Sequence, residues 1–170
     1  EALVVLEGLR VAGMRTTVDV LGESVDSEEL AVAAADGYVQ TLDALAERHL
    51  DLNVSLKLTQ MGLDVDPAFC LRVVDRAAAL GAFVRVDMED HTRTETTLAI
   101  ARELQARYPA VGVVIQSYLR RSAADVEQLI GERIRVRLCK GAYDEPASVA
   151  YRGKGEVDRS FVRCLKILMG

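Results

Sequence analysis

The sequence has no tryptophan and, among 170 residues, only 3 prolines, 2 histidines, 3 cysteines and 3 phenylalanines. Cys70, Cys139 and Cys164 are odd in number and widely spaced, which fits neither a disulfide framework nor a zinc ligand set and points to a reducing interior. His49 and His91 sit on no metal-type spacing, so no metal site is expected and both are assigned to surface or cap positions. Apolar runs such as residues 31–35 and 113–115 fall far short of the ~20 residues that cross a bilayer. Nothing after Glu1 resembles the basic start of a secretory signal. Basic residues are outnumbered, 21 against 26 acidic for a net charge of -5, and they are scattered, which leaves no footprint for nucleic acid. Nor does a GxGxxG motif follow the first strand signal, so a Rossmann dinucleotide site has little support.

What is present is the composition of one folded domain over residues 1–170, 50% hydrophobic and 28% charged, with no linker-like segment. Apolar periodicity alternates between the strand and helix patterns along the chain. Strands are expected over 14–21, 52–58, 83–88, 111–118 and 133–140. Between them fall helices from about Ser27, with Leu30, Ala34, Tyr38, Leu42 and Leu45 as a stripe, and from Asp66-Pro67 to Gly81, with Leu71, Val74 and Ala78 inward. Others run over 92–107, from a Ser122/Asp125 capping box to Gly131, and over 156–169, where Val157, Phe161, Leu165 and Leu168 share a face.

Five strands each followed by a helix indicate parallel βα units, either an open doubly wound sheet or part of a (β/α)8 barrel. Side-chain parity separates the two. Val54, Leu56, Val84, Val86, Ile134, Val136 and Leu138 alternate with Lys57, Arg85, Asp87, Arg135 and Arg137, so one face is apolar and the other charged. A doubly wound strand is covered on both faces and reads as continuous hydrophobe. The alternation therefore favours a barrel with a polar interior. A whole barrel takes ~250 residues, so room exists for about five of the eight units.

Lys57, Asp87, Gln116 and Arg137 fall toward the C-terminal ends of four different strands, where barrel enzymes assemble their sites. A structural ion-pair network inside the barrel is the alternative. Gly141, in Lys140-Gly141-Ala142-Tyr143, would let backbone approach a ligand or simply close a loop. Glu23, taken alone, reads as solvated, and Asp66 as a helix cap rather than a metal ligand.

Five strings, residues 21–24 (LGES), 54–58 (VSLKL), 85–90 (RVDMED), 112–119 (GVVIQSYL) and 136–143 (VRLCKGAY), together resemble, in order and spacing, the flavin-dependent proline dehydrogenase family. The resemblance implies a distorted (β/α)8 barrel that holds FAD and oxidises L-proline to 1-pyrroline-5-carboxylate by hydride transfer to flavin N5, the first step of proline catabolism. It implies that Lys57, with Tyr143, lies beside the proline carboxylate and that Asp87 supports the site. It further implies that Gln116 meets the flavin pyrimidine edge, that Arg137 sits near N5, and that Lys140, Gly141 and Ala142 turn around the cofactor. Glu23 resembles a glutamate that closes over substrate by pairing with an arginine. Ser117 stands where the family often has alanine.

The resemblance also implies a quinone or membrane electron acceptor, and a cytoplasmic location or a peripheral one at a bacterial inner membrane, with a mitochondrial one also compatible. The family's later βα units and carboxylate-clamping arginines have no counterpart in these residues. The chain alone is therefore expected to be inactive. The alternative is a non-catalytic half-barrel scaffold that self-associates through open sheet edges.

Overall fold

The computed structural model describes residues 1–66 and 68–170. Its elements run α1 (Ala2–Val11), β1 (Val18–Asp19), α2 (Glu28–Glu47), β2 (Asn53–Leu56), α3 (Ala68–Leu80), β3 (Phe83–Val86), α4 (Thr94–Arg107), β4 (Val111–Gln116), α5 (Ser122–Gly131), β5 (Arg135–Cys139) and α6 (Lys154–Met169). All five strands are parallel, in the sheet order β1-β2-β3-β4-β5. Right-handed crossovers that always step in one direction keep their helices on one side of the sheet, as in the wall of a barrel.

That one-sidedness accounts for the parity of the sequence. Val54, Leu56, Val84, Val86, Val113 and Ile115 are buried in the main core, with Val136 and Leu138 packed at its margin. The opposite, inner face carries the charges. Asn53↔Phe83, Ser55↔Arg85, Gly112↔Arg135 and Val114↔Arg137 are register partners, so these side chains stand in rows across the sheet. The guanidinium carbons of Arg85 and Arg135 lie 5.0 and 5.2 Å from the Phe83 ring centre. Gly112 makes this possible, because a Cβ there would meet the Arg135 carbonyl oxygen at 2.7 Å and Phe83 Cζ at 2.8 Å. Burial, with Arg137 nearby, lowers the Arg85 pKa from its ordinary value.

Several local expectations need correction. The first strand shrinks from residues 14–21 to Val18–Asp19 because its neighbours are bonded to side chains. Asp51 accepts the Thr16 N–H at 2.9 Å and pairs with Arg15 at 2.6 Å, while Gln60 Nε2 donates to the Val20 carbonyl at 2.9 Å. In α2, Ser27 Oγ caps Leu30 N–H at 3.4 Å, yet Ala31 and Ala35 are buried where Leu30 and Ala34 were expected. The approach of 58–63 explains it: a Cβ on Gly62 would fall 2.7 Å from Ala31 Cβ, leaving no space for leucine. The face of α3 is turned by about a residue, burying Cys70, Val73, Val74 and Ala77. The expected Asp66-Pro67 helix start is described only at Asp66, whose Oδ1 accepts the Ala68 N–H at 2.9 Å; Pro67 lies outside the described residues.

The Ser122/Asp125 capping box does not form. Ser122 Oγ instead donates to the Gln116 carbonyl at 2.6 Å, and Asp125 pairs with Arg121 at 2.7 Å. Helix α1 has no buried residue and was not anticipated, since its Leu3 and Leu6 reach the core only in part. The face of α6 buries Cys164 fully and the expected Val157, Phe161 and Leu168 only partly, while Leu165 is exposed. No helix among the described residues is long and apolar enough to cross a membrane.

Burial pushes the Cys70 thiol up to about 12. An unfolded thiol ionises near pH 8.5–9, so unfolding above that pH releases a proton that the folded chain retains. The stabilisation from the protonated thiol is complete below pH 9 and falls as pH rises from 9 toward 12. The expected result is an unfolding free energy that declines over this interval by up to roughly 1.4 kcal/mol per pH unit, and a shallower decline in Cys70→Ala. Equal slopes in both proteins would remove Cys70 as the cause.

Candidate active site

The inner face near the C-terminal ends of the strands holds a tight polar cluster. Ser55 Oγ donates to Asp87 Oδ1 at 2.5 Å, and Arg137 Nη2 donates both to Ser55 Oγ at 3.2 Å and to Asp87 Oδ1. Asp87 follows β3 directly, and Arg137 is midway along β5, level with Val114 rather than at the strand end. The Asp87 side chain is 14% exposed and that of Arg137 40%. The carboxylate is thus the shielded anchor, and the guanidinium is held while still facing open space. Among the described residues only Nη2 of Arg137 is bonded, which leaves its other N–H donors available.

Lys57, following β2, shares the parity of Ser55 and lies 3.5 Å from Glu23 Oε2. The expected arginine partner for Glu23 is not found among the described residues. Arg93, which lines the same cavity, is instead paired bidentately with Asp64. Glu23 and Tyr143 line that cavity of about 220 Å³ together with Ser24, Thr59, Glu89 and Asp90. Burial, reinforced by Glu89, Glu23 and other carboxylates, pushes the Tyr143 phenol up to about 12, so it is neutral and able to donate at ordinary pH.

Gln116 ends β4 and is buried. Its Nε2 donates to the carbonyls of Glu89 at 2.7 Å and Met88 at 3.3 Å, and its Oε1 accepts the Ala142 N–H at 3.1 Å. Both amide hydrogens are committed within the chain; one lone pair of Oε1 remains. Lys140 turns away from the inner face to Asp158 Oδ1 at 2.5 Å, on the outside against α6. Together with Lys154 it holds the Asp158 carboxyl down at about 2. Gly141 has φ +127 and lies against Tyr118, whose ring atoms would be 2.3–2.6 Å from an added Cβ. Lys57, Asp87, Gln116 and Arg137 thus share the inner face of the sheet by strand parity; Glu23 reaches Lys57, Ala142 reaches Gln116, Asp87 holds Arg137, and Tyr143 shares a cavity with Glu23, while the Lys140 ammonium points elsewhere.

Sequence reasoning missed four residues. Ser55 bridges Asp87 and Arg137, and parity already placed it on the polar face. Thr59 and Glu89 bond each other within the cavity wall. Glu145, almost wholly buried, accepts the His91 N–H at 2.7 Å, contacts His91 Nδ1, and receives the Tyr118 hydroxyl at 3.4 Å. His91 is therefore no simple surface or cap residue but a tie between the β3–α4 and β5–α6 loops, a long-range contact with no local sequence signal.

A profile of the family described as proline dehydrogenase matches residues 2–169. Proline dehydrogenase 1 of Bacillus subtilis subsp. natto is 35% identical over 170 residues, covering 98% of this chain and 56% of that protein. Proline dehydrogenase of Deinococcus radiodurans is 36% identical over 171 residues, covering 95% of this chain and 55% of that protein. The chain thus spans about half the length of these relatives. Among solved structures, proline utilization A (PutA) from Corynebacterium freiburgense superposes with a TM-score of 0.75 at 24% identity, covering 99% of this chain and 21% of that one. A bifunctional PutA protein gives 0.74 at 23%, covering 88% and 19%. These likenesses show the fold, a partial barrel of the TIM type.

Proposed function

The chain belongs to the proline dehydrogenase family, and from that premise we propose that it carries half of an FAD-dependent site oxidising L-proline to 1-pyrroline-5-carboxylate. The observation that supports this most directly is the Ser55–Asp87–Arg137 cluster, a cation fixed on the inner face with unspent N–H donors. The donor set suits a flavin: Arg137 for a ring that gains negative charge, the free Oε1 lone pair of Gln116 for a ring N–H, and the Gly141-Ala142 backbone as a close wall. When bound, FAD would supply the hydride acceptor at N5.

The chain's own residues bind and orient. Lys57 offers its ammonium to the substrate carboxylate, but Glu23 already stands beside it at 3.5 Å. The Glu23 side chain is more than half exposed and is held to Lys57 only by this long contact, so a substrate carboxylate can compete with it for the ammonium. Tyr143 donates its hydroxyl from the same cavity wall. Arg137 places positive charge, fixed in advance by Asp87 and Ser55, where negative charge grows during reaction, and such a preorganised group needs no costly rearrangement. Asp87 acts through Arg137 rather than on substrate. The electron acceptor, a quinone or membrane carrier, and a cytoplasmic or membrane-peripheral setting follow from the family reading and stand as part of the proposal.

The test joins residues 1–170 to the remaining part of Bacillus subtilis proline dehydrogenase 1 and assays the purified chimera with proline and a dye acceptor. Turnover by the chimera, and none by the 170-residue chain with added FAD, is the expected pair of results. A folded, flavin-loaded chimera that leaves proline untouched would sink the catalytic reading. Robust turnover by the chain alone would sink the half-site part of it. The scaffold alternative draws on β1 and β5 being the sheet's edges. It predicts a discrete oligomer of the chain and an inert chimera.

A further inference from the structure

Glu89 joins two parts of the site that the sequence separates by more than a hundred residues. Its side-chain oxygens accept the Thr59 N–H at 3.1 Å and the Thr59 hydroxyl, and it is almost wholly buried. Thr59 in turn holds the loop that carries Glu23: Thr59 Oγ1 accepts the Ser24 N–H, and the Thr59 carbonyl accepts the Val25 N–H, both at 3.0 Å. Ser24 has φ +56, a left-handed conformation uncommon for serine, which such bonds hold in place. On its other side, the Glu89 carbonyl accepts Gln116 Nε2 at 2.7 Å, and Gln116 Oε1 takes the Ala142 N–H. One unbroken path thus runs from the Glu23 loop through Thr59, Glu89 and Gln116 to the Gly141-Ala142 turn.

We propose that Glu89 and Thr59 are positioning residues, which fix the Glu23 loop and the Gly141-Ala142 turn in a common register. The inference rests on the functional reading for its meaning, but the linkage itself is a property of this chain. The direction of each bond is forced. The Thr59 hydroxyl has one hydrogen, which goes to Glu89, and this leaves its lone pairs facing the Ser24 N–H. Thr59→Val removes both roles at nearly constant volume, whereas Thr59→Ser keeps them. Glu89→Gln sets an NH2 group against one of the two Thr59 donors.

Amide hydrogen exchange on the 170-residue chain, followed by mass spectrometry without any ligand, tests the linkage. Thr59→Val should speed exchange over residues 22–25 at least tenfold while leaving 140–142 unchanged. Thr59→Ser should exchange as the parent does. Glu89→Gln should speed exchange over 22–25, while 140–142, held through the Glu89 carbonyl that the substitution keeps, should exchange as in the parent. Unchanged exchange over 22–25 in Thr59→Val, or equal acceleration in the valine and serine variants, overturns the proposal. If Glu89→Gln fails to fold, the Thr59 pair carries the decision. In the proline-oxidising chimera, Thr59→Val should raise KM for proline several-fold with little change in kcat, and Thr59→Ser should restore it. A chimera that is inactive while the exchange pattern holds removes the functional reading and leaves the linkage standing.

Discussion

Gly141→Ala is expected to be the most damaging single-methyl change in the chain, lowering stability by about 3 kcal/mol or more. Two costs add. At φ +127 a side chain is strained whatever space surrounds it, at about 1–3 kcal/mol for such backbone. The added Cβ would also fall 2.3 Å from Tyr118 Cδ1, and forcing extra volume into a packed contact costs about 1–3 kcal/mol more. The ring cannot withdraw freely, because its hydroxyl is engaged with buried Glu145 and the Tyr118 N–H donates to the Lys140 carbonyl at 2.8 Å. The measurement is the urea midpoint of Gly141→Ala against Gly131→Ala, where a Cβ meets nothing within 4 Å. Similar midpoints for the two would mean that the turn relaxes and that Gly141 is not required.

Arg137→Met should reduce the rate of flavin reduction by proline about a hundredfold in the chimera, which corresponds to about 2.7 kcal/mol of lost transition-state stabilisation. Methionine keeps most of the apolar stem and removes only the charge and the donors. Asp87→Asn is the informative companion. It keeps a hydrogen-bond acceptor for Arg137 but loses the charge that holds it, so a smaller loss is expected, with the Arg137→Met/Asp87→Asn double variant no slower than Arg137→Met alone. Additive losses would show that Asp87 acts independently. Anaerobic stopped-flow absorbance at the flavin band reads each rate, and an unchanged rate in Arg137→Met would take that residue out of the site.

The alternation of apolar and charged residues in 53–58, 83–88 and 134–139 made the fold legible, because a strand covered on one side must present one face to helices and the other elsewhere. Helix faces were less legible. The stripe of α2 shifts from Leu30 and Ala34 to Ala31 and Ala35 because Gly62 approaches too closely for a large side chain, and no window of local sequence contains that contact. The first strand was overextended for a similar reason, since Asp51 and Gln60, both distant in sequence, claim the backbone on either side of Val18–Asp19. Of the candidate site, Lys57, Asp87 and Gln116 could be found by position at strand ends and by family resemblance, and Arg137 by polar-face parity and the resemblance, since it lies midway along β5. Ser55 could be placed on the polar face by parity but not given its partners, and Thr59, Glu89 and Glu145 could not be found at all, because a threonine or a glutamate carries no sign of its partner until the strands are set side by side.

By itself, then, the sequence determined the order of elements, the one-sided parity and the family strings, since these depend on residues within about four positions of one another along the chain. Only the tertiary structure decided the partners. It gave Lys57 to Glu23 rather than leaving it free, tied the Lys140 ammonium to Asp158 outside the sheet, committed both amide hydrogens of Gln116 to backbone, and set Arg137 one row below the strand end. Hydrogen bonds and ion pairs require approach within about 3–4 Å. Such approach is fixed by sheet register and loop crossings between residues 18 to 82 apart in sequence, which no local pattern encodes.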